Sequence, residues 1–253
     1  MPAMKLALLS DIHANIQALD ACLAHARRQG AQRFALLGDL VGYGADPSAV
    51  AQRAMALAQE GALLIKGNHD QMAVNPPLEA RTIGDSTAAW THSQLDASER
   101  RFLQALPMTL RFESILLVHA SAEAPELWRY VYDRQAAALS LDAACLHDGV
   151  HYVFGGHVHL QTLYHRGLGP GLTMFNPLPG AAIPVARHRH WLATIGSVGQ
   201  PRDGNPQAMY AMLDTDIDQM TFHRVHYDHP AAAAAIRRAG LPDFFADRLE
   251  IGR

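Results

Sequence analysis

Short apolar runs alternate with helix-period segments at the start of the chain. Residues 6–9, 34–37 and 62–65 are each a run of apolar residues bounded by polar or glycine-containing turns, a pattern typical of buried strands. The first two runs precede stretches with apolar residues at helical spacing, 16–30 and 47–59. An Asp-Pro pair opens the second stretch, and proline suits the first position of a helix. The pattern predicts successive strand–helix units on a common sheet.

The middle of the chain is less regular. We expect residues 71–106 to form a rim, with a helix over 82–95 and a second helix capped by Asp96 or Ser98. Beyond the rim, two apolar runs predict strands, an alanine-rich stretch predicts a helix, and a further run that ends at Phe154 predicts another strand. These segments are 109–112, 115–118, 133–146 and 151–154.

The last third of the chain contains β-like runs separated by Gly and Pro turns. These runs are 161–164, 172–175, 191–195, 210–213 and 220–225. They predict a second, largely antiparallel sheet. Residues 230–253 are expected to form a helical tail. Because no repeat, low-complexity tract or linker interrupts the chain, we expect one domain over 1–253.

Composition narrows the function classes. Lys plus Arg number 21 and Asp plus Glu number 24, so the net charge of −3 gives no footprint for nucleic acid or a membrane surface. The two cysteines, Cys22 and Cys145, lie far apart and cannot form a disulfide framework. No apolar run near the N-terminus is long enough for a signal peptide or membrane span. A cytoplasmic protein is therefore expected.

Histidine is unusually frequent, with 15 residues. Two of them, His157 and His159, follow the pair Gly155-Gly156, and paired glycines allow a sharp turn through conformations closed to other residues. Alone, this segment is equally well explained as a surface turn, and Asp11 as a helix cap. However, polar residues also follow the ends of the other predicted strands. The strand-end residues are Asp11, His13, Asp39, Asn68, His119, His157 and His159.

These seven side chains offer carboxylate, amide and imidazole ligands. Ligands gather beyond the carboxyl ends of strands in α/β sheets. A catalytic metal commonly takes about three protein ligands, so seven groups suit two metals with a bridging carboxylate, as in sites that catalyse phosphoryl displacement. Nitrogen and oxygen donors without thiolate favour Mn, Fe, Zn, Co or Ni.

Five short motifs in this order resemble the calcineurin-like metallophosphoesterase superfamily. They are Asp11-x-His13, Gly38-Asp39, Gly67-Asn68-His69-Asp70, His119 and Gly156-His157-x-His159. The later Gly196-Ser197-Val198-Gly199 resembles the smaller bacterial and archaeal phosphodiesterase-like branch. The resemblance implies an α/β fold: a four-layer αββα sandwich of two mixed β-sheets flanked by helices.

The resemblance also implies two divalent metal ions, with Mn favoured and Fe, Zn, Ni and Co compatible. The first metal would be held by Asp11, His13, Asp39 and His159. The second would be held by Asp39, Asn68, His119 and His157. His69 would be the acid and transition-state stabiliser, and Asp70 would orient its ring. A metal-bridging hydroxide would be the nucleophile.

The implied activity is hydrolysis of phosphodiester or nucleotide-like substrates, so a small phosphorylated molecule is the expected partner. Gly42-Tyr43-Gly44 replaces the acidic-arginine pair of the superfamily's protein phosphatases, which argues against phosphoprotein substrates. A phosphomonoesterase, a dinucleoside polyphosphate hydrolase and a non-catalytic metal-dependent scaffold remain alternatives. The net charge of −3 argues against a nuclease. A homo-oligomer is compatible with the sequence. Candidate substrate contacts are Tyr43, Arg81, Trp90, His92, Arg187 and Arg202.

Overall fold

Two mixed β-sheets form the centre of the protein in a computed structural model, which describes residues 3–82, 84–167 and 171–253. In chain order the first six described strands are β1 (Lys5–Leu9), β2 (Arg33–Leu37), β3 (Leu63–Ile65), β4 (Thr109–Phe112), β5 (Ile115–Val118) and β6 (Tyr152–Gly155). They are followed by β7 (Gln161–Arg166), β8 (Leu172–Phe175), β9 (Ala182–Pro184), β10 (His190–Ile195), β11 (Ala208–Asp214) and β12 (Gln219–Val225).

Helices connect and flank these strands. In the described chain they are α1 (Ile16–Arg28), α2 (Pro47–Gln59), α3 (Asn68–Val74), α4 (Ala88–Gln94), α5 (Ala97–Ala105), α6 (Arg134–Cys145), α7 (His229–Arg238) and α8 (Asp243–Ile251). Short 3-10 turns lie at Asp85–Thr87 and Pro125–Leu127. None of the helices in the described ranges combines the length and apolar character needed to cross a membrane.

The first sheet has the order β3-β2-β1-β11-β12-β9, and the second has the order β4-β5-β6-β10-β7-β8. Parallel pairs join β1, β2 and β3 in the first sheet, and β5, β6 and β10 in the second. The carboxyl ends of the parallel strands carry the motif loops. The remaining pairs are antiparallel.

Alternating side chains of the strands build the layers. Leu6 and Leu8 of β1 pack between the sheets with residues such as Phe154 of β6. Ala7 and Leu9 point the other way, against α1 and α2. A third cluster covers the outer face of the second sheet with α6. The four-layer αββα sandwich with two mixed sheets is thereby confirmed.

The C-terminal strands do not form a separate antiparallel sheet, and that prediction was wrong. Strands β11 and β12 extend the first sheet, where Leu213 pairs with Leu6 of β1, whereas β7, β8 and β10 belong to the second. Strand β1 is buried on both faces. It therefore lies inside its sheet, and it is hydrogen-bonded to β2 on one edge and to β11 on the other.

The segment predicted as one helix over 82–95 is divided. A 3-10 turn over Asp85–Thr87 precedes α4, and Ile83 lies outside the described residues. At the other end of the chain, α7 and α8 pack against each other around Phe245 and Ile236, with Tyr43 in the same cluster. The two helices therefore support a loop that carries motif residues.

Candidate metal centre

Five of the Asp and His residues in the motifs have left-handed backbone conformations. The φ angles of Asp11, His13, Asp39, His157 and His159 lie between 50° and 69°. For residues other than glycine this region costs about 1–2 kcal/mol each, and it persists where surrounding structure enforces it, commonly at functional sites.

The loops after β1 and β2 enforce these conformations on each other. The amide of Asp11 donates to the Gly38 carbonyl at 3.1 Å, and the amides of Ile12 and His13 donate to the Asp39 carbonyl at 2.8 and 2.9 Å. These bonds lie outside regular secondary structure and satisfy amides that the unusual turns would otherwise leave unpaired. The first two motifs are therefore one hydrogen-bonded unit.

Gly156 allows the third loop to approach this unit. A Cβ atom at Gly156 would lie 1.8 Å from Ser10 Oγ and 2.2 Å from Asp11 Oδ2. The close approach lets the His157 amide donate to Asp11 Oδ2 at 2.9 Å. Neither Gly156 nor Gly155 has a positive φ angle, so the predicted reason for the glycine pair was wrong. At Gly156 the glycine is required because there is no room for a side chain.

Asp11, His13 and His159 form one group of buried ligand atoms within 4.8 Å of one another. His159 Nε2 lies 3.2 Å from Asp11 Oδ1 and 3.2 Å from His13 Nε2. His159 Nδ1 donates to the carbonyl of Gln200 at 2.6 Å. A ring that donates from one nitrogen presents the other as a lone pair, which is how metal-binding histidines are oriented.

Asp39, His119 and His157 form a second such group. His119 Nε2 lies 3.2 Å from Asp39 Oδ2, and its Nδ1 donates to the Leu37 carbonyl at 2.7 Å. Asp39 also lies near the first group, since its Oδ2 is 3.7 Å from His13 Nε2. The two groups therefore meet at Asp39.

Asn68 Oδ1 and His157 Nε2 are buried in the cluster and have no hydrogen-bond partner among the described residues. Buried polar atoms are normally satisfied, and amide oxygen and imidazole nitrogen are both metal ligands. The cluster of nitrogen and oxygen donors therefore fits divalent cations.

The electrostatics of the cluster agree with cation binding. Burial acts to raise the pKa of the Asp39 carboxyl, but His119 and His69 outweigh it and hold that pKa well below its usual range. Burial acts to lower the pKa of His119, but Asp39 outweighs it and raises that pKa to about 10. Burial, followed by His119, lowers the pKa of His157 to about 4. Ionised carboxylates and a neutral His157 are the forms that bind metals.

His69 lies at the edge of the cluster and is buried. Its amide donates to Asp39 Oδ1 at 2.8 Å, and its ring centroid is 4.2 Å from that of Tyr43 and 5.0 Å from that of His13. Burial lowers the pKa of the His69 ring. The ring is therefore held beside both ligand groups.

Asp70 has hydrogen bonds that the motif did not indicate. Its carboxylate accepts from the amides of Leu40 and Gly67 at 2.8 and 2.9 Å, and from Val41 at 3.2 Å. Burial, followed by Asp39, raises the pKa of Asp70 to about 7. Asp70 thus joins the loop after β2 to the loop after β3, and none of these bonds reaches the His69 ring.

Two of the candidate substrate contacts lie at the cluster. Tyr43 packs against His13 and His69. Arg202 donates to Gln200 Oε1 at 3.0 Å, and its buried Nε has no hydrogen-bond partner in the described part of the chain. Gln200 in turn holds His159 through its carbonyl. Arg202 is therefore connected to the first ligand group through Gln200, which contacts both Arg202 and His159.

The other candidates have partners elsewhere. Arg187 donates to Asp218 Oδ1 at 2.6 Å, and His92 Nδ1 bonds the Ala73 carbonyl at 2.8 Å. Trp90 is partly buried in the cluster of α7 and α8, and the Arg81 amide bonds Asp85. Each of these four residues therefore makes a contact within the protein, through its side chain or, for Arg81, through its backbone amide.

Sequence reasoning missed the aromatic residues of the segment between β5 and α6. The Tyr130 ring stacks on His157 with centroids 4.0 Å apart, and the Trp128 ring lies 5.9 Å from His119. The available signal was the spacing of Trp128, Tyr130 and Tyr132, three aromatic residues within five positions.

Similar proteins cover most or all of the chain. A crystal structure of a metallophosphoesterase from Sphaerobacter thermophilus is 32% identical, with a TM-score of 0.86 over 99% of this chain and 100% of that one. An uncharacterised protein of Methanocaldococcus jannaschii is 28% identical over 98% of both chains. Phosphodiesterase YfcE of Escherichia coli is 27% identical, covering 85% of this chain and 89% of its own.

Fold, buried ligand cluster and relatives together define a metal-dependent hydrolase of phosphoesters. The superfamily can be stated as well. A family model described as the calcineurin-like phosphoesterase superfamily domain matches residues 4–218, and the chain belongs to this superfamily. The resemblance carried by the five motifs is confirmed.

Proposed function

We propose that the protein is a dinuclear-metal phosphodiesterase that acts on small phosphodiester or nucleotide-like substrates. The observation that carries the proposal is the meeting of two buried ligand groups at Asp39. A carboxylate in that position can bridge two cations, and paired cations suit in-line displacement at phosphorus.

The first cation would be held by Asp11, His13, Asp39 and His159, and the second by Asp39, Asn68, His119 and His157. Manganese is the proposed metal, and Fe, Zn, Ni and Co suit the same nitrogen and oxygen donors. Bound cations would supply a water of lowered pKa and positive charge for the phosphoryl oxygens. The second set is supported by His157 Nε2 and Asn68 Oδ1, which lack partners among the described residues, and by His119 Nε2, which lies 3.2 Å from Asp39 Oδ2.

The residues of the chain position the ester and manage its protons. His69 would donate a hydrogen bond from its ring to a phosphoryl oxygen, because the ring lies within 4.8 Å of ligand atoms of His13 and Asp39. Burial lowers the pKa of the ring in the absence of the ester. A bound anionic ester favours the protonated ring, which can then protonate the leaving oxygen. Asp70 acts through the loops that it joins, which hold Asp39 and His69 at fixed separation.

A diester is the proposed substrate because protein side chains add little positive charge beside the proposed cations. Tyr43 occupies the position beside His69, and burial raises the pKa of its phenol to about 12, so it is neutral. A diester carries one negative charge, whereas a monoester dianion carries two. The partly buried guanidinium of Arg202, whose Nε has no hydrogen-bond partner among the described residues, suits the lower charge.

A dinucleoside polyphosphate hydrolase is the second candidate, and one observation favours it. Burial, followed by the charge of Arg202, lowers the pKa of Arg248 on α8. Arg248 Nε donates to the main-chain oxygen of Arg253 at 2.6 Å, and among the described residues neither guanidinium forms an ion pair with an Asp or Glu side chain. Neighbouring cations without carboxylates are suited to a further phosphate group.

The test compares hydrolysis of bis(p-nitrophenyl) phosphate and p-nitrophenyl phosphate by the wild type and His69→Ala, with Mn²⁺ and with a chelator. We expect metal-dependent preference for the diester, and a loss of roughly 100-fold or more in His69→Ala at unchanged metal content. Preference for the monoester would contradict the diester assignment. No turnover despite two bound ions would favour a binding scaffold.

We also place the protein in the cytoplasm. Cys22 is buried and Cys145 is partly buried, and both are free thiols, which suits a reducing compartment. The net charge of −3 supports a small phosphorylated substrate over a nucleic acid.

A further inference from the structure

The segment between β5 and α6 exposes aromatic side chains beside the second ligand group. Tyr130 is 49% exposed and Tyr132 is 67% exposed, whereas Val131 between them is 4% exposed. Val131 packs with Leu141 of α6 and Val118 of β5. The buried valine anchors the segment, so the two tyrosines are presented from a fixed backbone.

The aromatic rings lie directly against proposed metal ligands. Tyr130 and His157 are stacked with ring centroids 4.0 Å apart and planes inclined by 21°. Trp128 meets His119 edge to face at 5.9 Å, and Tyr132 lies 6.2 Å from Tyr130. Tyr130 and Tyr132 therefore form a surface that begins at His157 and extends into solvent, and Trp128 adds a ring beside the neighbouring His119.

The backbone holds this surface in a costly conformation. Trp128 has a φ angle of 51°, and Ala124 has one of 48°. A bulky residue in the left-handed region is uncommon and marks a turn that other interactions must enforce. Exposed aromatic area is also unfavourable in water. Packing of the tyrosine rings offsets little of these costs, because Tyr130 is still 49% exposed and Tyr132 is 67% exposed.

We propose that Trp128, Tyr130 and Tyr132, termed the aromatic wall, bind the nucleobase of a nucleotide ester whose phosphate lies at the metal centre. This inference rests on the proposed phosphodiesterase function. Flat aromatic faces stack on bases with little dependence on base identity, and tyrosine hydroxyls add hydrogen bonds at the ring edge. The only cation within the segment, Arg129, is paired with Glu123. The wall therefore recognises the base by its face, whereas the phosphate is bound elsewhere.

Binding to the Mn²⁺-loaded full-length protein tests the proposal. Calorimetry compares adenosine 5′-monophosphate with ribose 5-phosphate, which keeps the phosphate and sugar but lacks the base. Stacking predicts a roughly 5- to 150-fold tighter dissociation constant for the nucleotide. Equal dissociation constants for the two ligands, or binding of neither ligand, would contradict the proposal that the aromatic wall binds the nucleobase.

Paired substitutions show whether the rings cause the preference. Tyr132→Leu removes a ring at an exposed position, and Tyr132→Phe retains it; Tyr130→Leu and Tyr130→Phe form a second pair. Each Leu variant should lower the nucleotide preference about 5-fold or more, and each Phe variant should keep most of it. Metal content is measured in the Tyr130 variants because that ring contacts His157. Leu variants with full metal content and an unchanged preference would refute the assignment.

Turnover measured in parallel separates this inference from the proposed function. Diester hydrolysis without tighter binding of the nucleotide would contradict base binding by the aromatic wall, and it would leave the proposed phosphodiesterase activity supported. A clear nucleotide preference in a protein that hydrolyses no phosphodiester would support the wall and contradict the proposed catalysis.

Discussion

Gly156→Ala is expected to damage the metal centre through a single methyl group. The added Cβ would lie 1.8 Å from Ser10 Oγ and 2.2 Å from Asp11 Oδ2, and 2.7 Å from Ser10 Cβ. Ordinary contacts are 3.4 Å or longer, so the neighbouring atoms must move by more than about 1 Å. Because Asp11 Oδ2 accepts from the His157 amide, the movement separates two proposed ligands of different cations.

The magnitude follows from packing and from ligand orientation. Overpacking of a filled core costs about 1–3 kcal/mol, and we expect this loss in the free energy of unfolding. Disturbing a group that orients a metal ligand typically weakens metal binding by about 10- to 100-fold. Both effects are expected together, since Asp11 is fully buried and has no alternative position in solvent.

Urea unfolding and Mn²⁺ calorimetry measure the two effects. Gly167→Ala is the matched control, because among the described residues no atom lies within 4 Å of a Cβ placed there, and its unfolding free energy should change by no more than about 0.5 kcal/mol. Wild-type stability and Mn²⁺ affinity in Gly156→Ala would refute the account of the close approach between the loops after β1 and β6.

Three further results are expected. Asp39→Asn should lose both cations, counted by mass spectrometry after dialysis, and a variant that retains two ions would exclude Asp39 as the bridge. The pKa of His119 is raised to about 10, so its ring is protonated at pH 7 in the metal-free protein. Mn²⁺ binding should release that proton. The affinity for Mn²⁺ should therefore rise about tenfold per pH unit up to pH 10. Calorimetry in two buffers measures the number of protons released, and an affinity for Mn²⁺ that does not change with pH would contradict the predicted proton release. Asp70→Asn should destabilise the fold by about 1–3 kcal/mol in urea unfolding, because one oxygen that accepts a backbone amide is lost; unchanged stability would show that these bonds contribute little.

The sequence was informative where position along a strand determines geometry. Residues 6–9, 34–37 and 62–65 predicted three strands, which the structure contains as β1, β2 and β3 with bounds within one residue. Because parallel strands end at one edge of a sheet, Asp11, Asp39 and Asn68 could be expected to lie close together. Strands β4 and β5 match their predicted bounds completely.

Sheet membership could not be predicted, because it depends on partners far away in the sequence. Strands β11 and β10 are both fully or almost fully buried runs. Such runs do not alternate between polar and apolar residues, so their periodicity does not reveal which sheet they join. The pairing of Leu6 with Leu213 spans almost the whole chain.

The site details that escaped prediction are contacts across loops. Asp70 follows His69 in sequence, yet its carboxylate bonds amides of the loop after β2. Gly156 is needed because Ser10 lies opposite it, which no local pattern reveals. Tyr130 reaches His157 from a segment without regular structure. Each contact depends on the positions that two separate loops take in the fold.

Diester turnover measured against bound Mn²⁺ per chain tests the central claim most directly. Metal-free protein is titrated with Mn²⁺, and hydrolysis of bis(p-nitrophenyl) phosphate is recorded at each measured metal content. A dinuclear centre that shares Asp39 predicts little activity up to one ion per chain and full activity at two. Full activity at one ion, or none at two, would contradict the dinuclear phosphodiesterase.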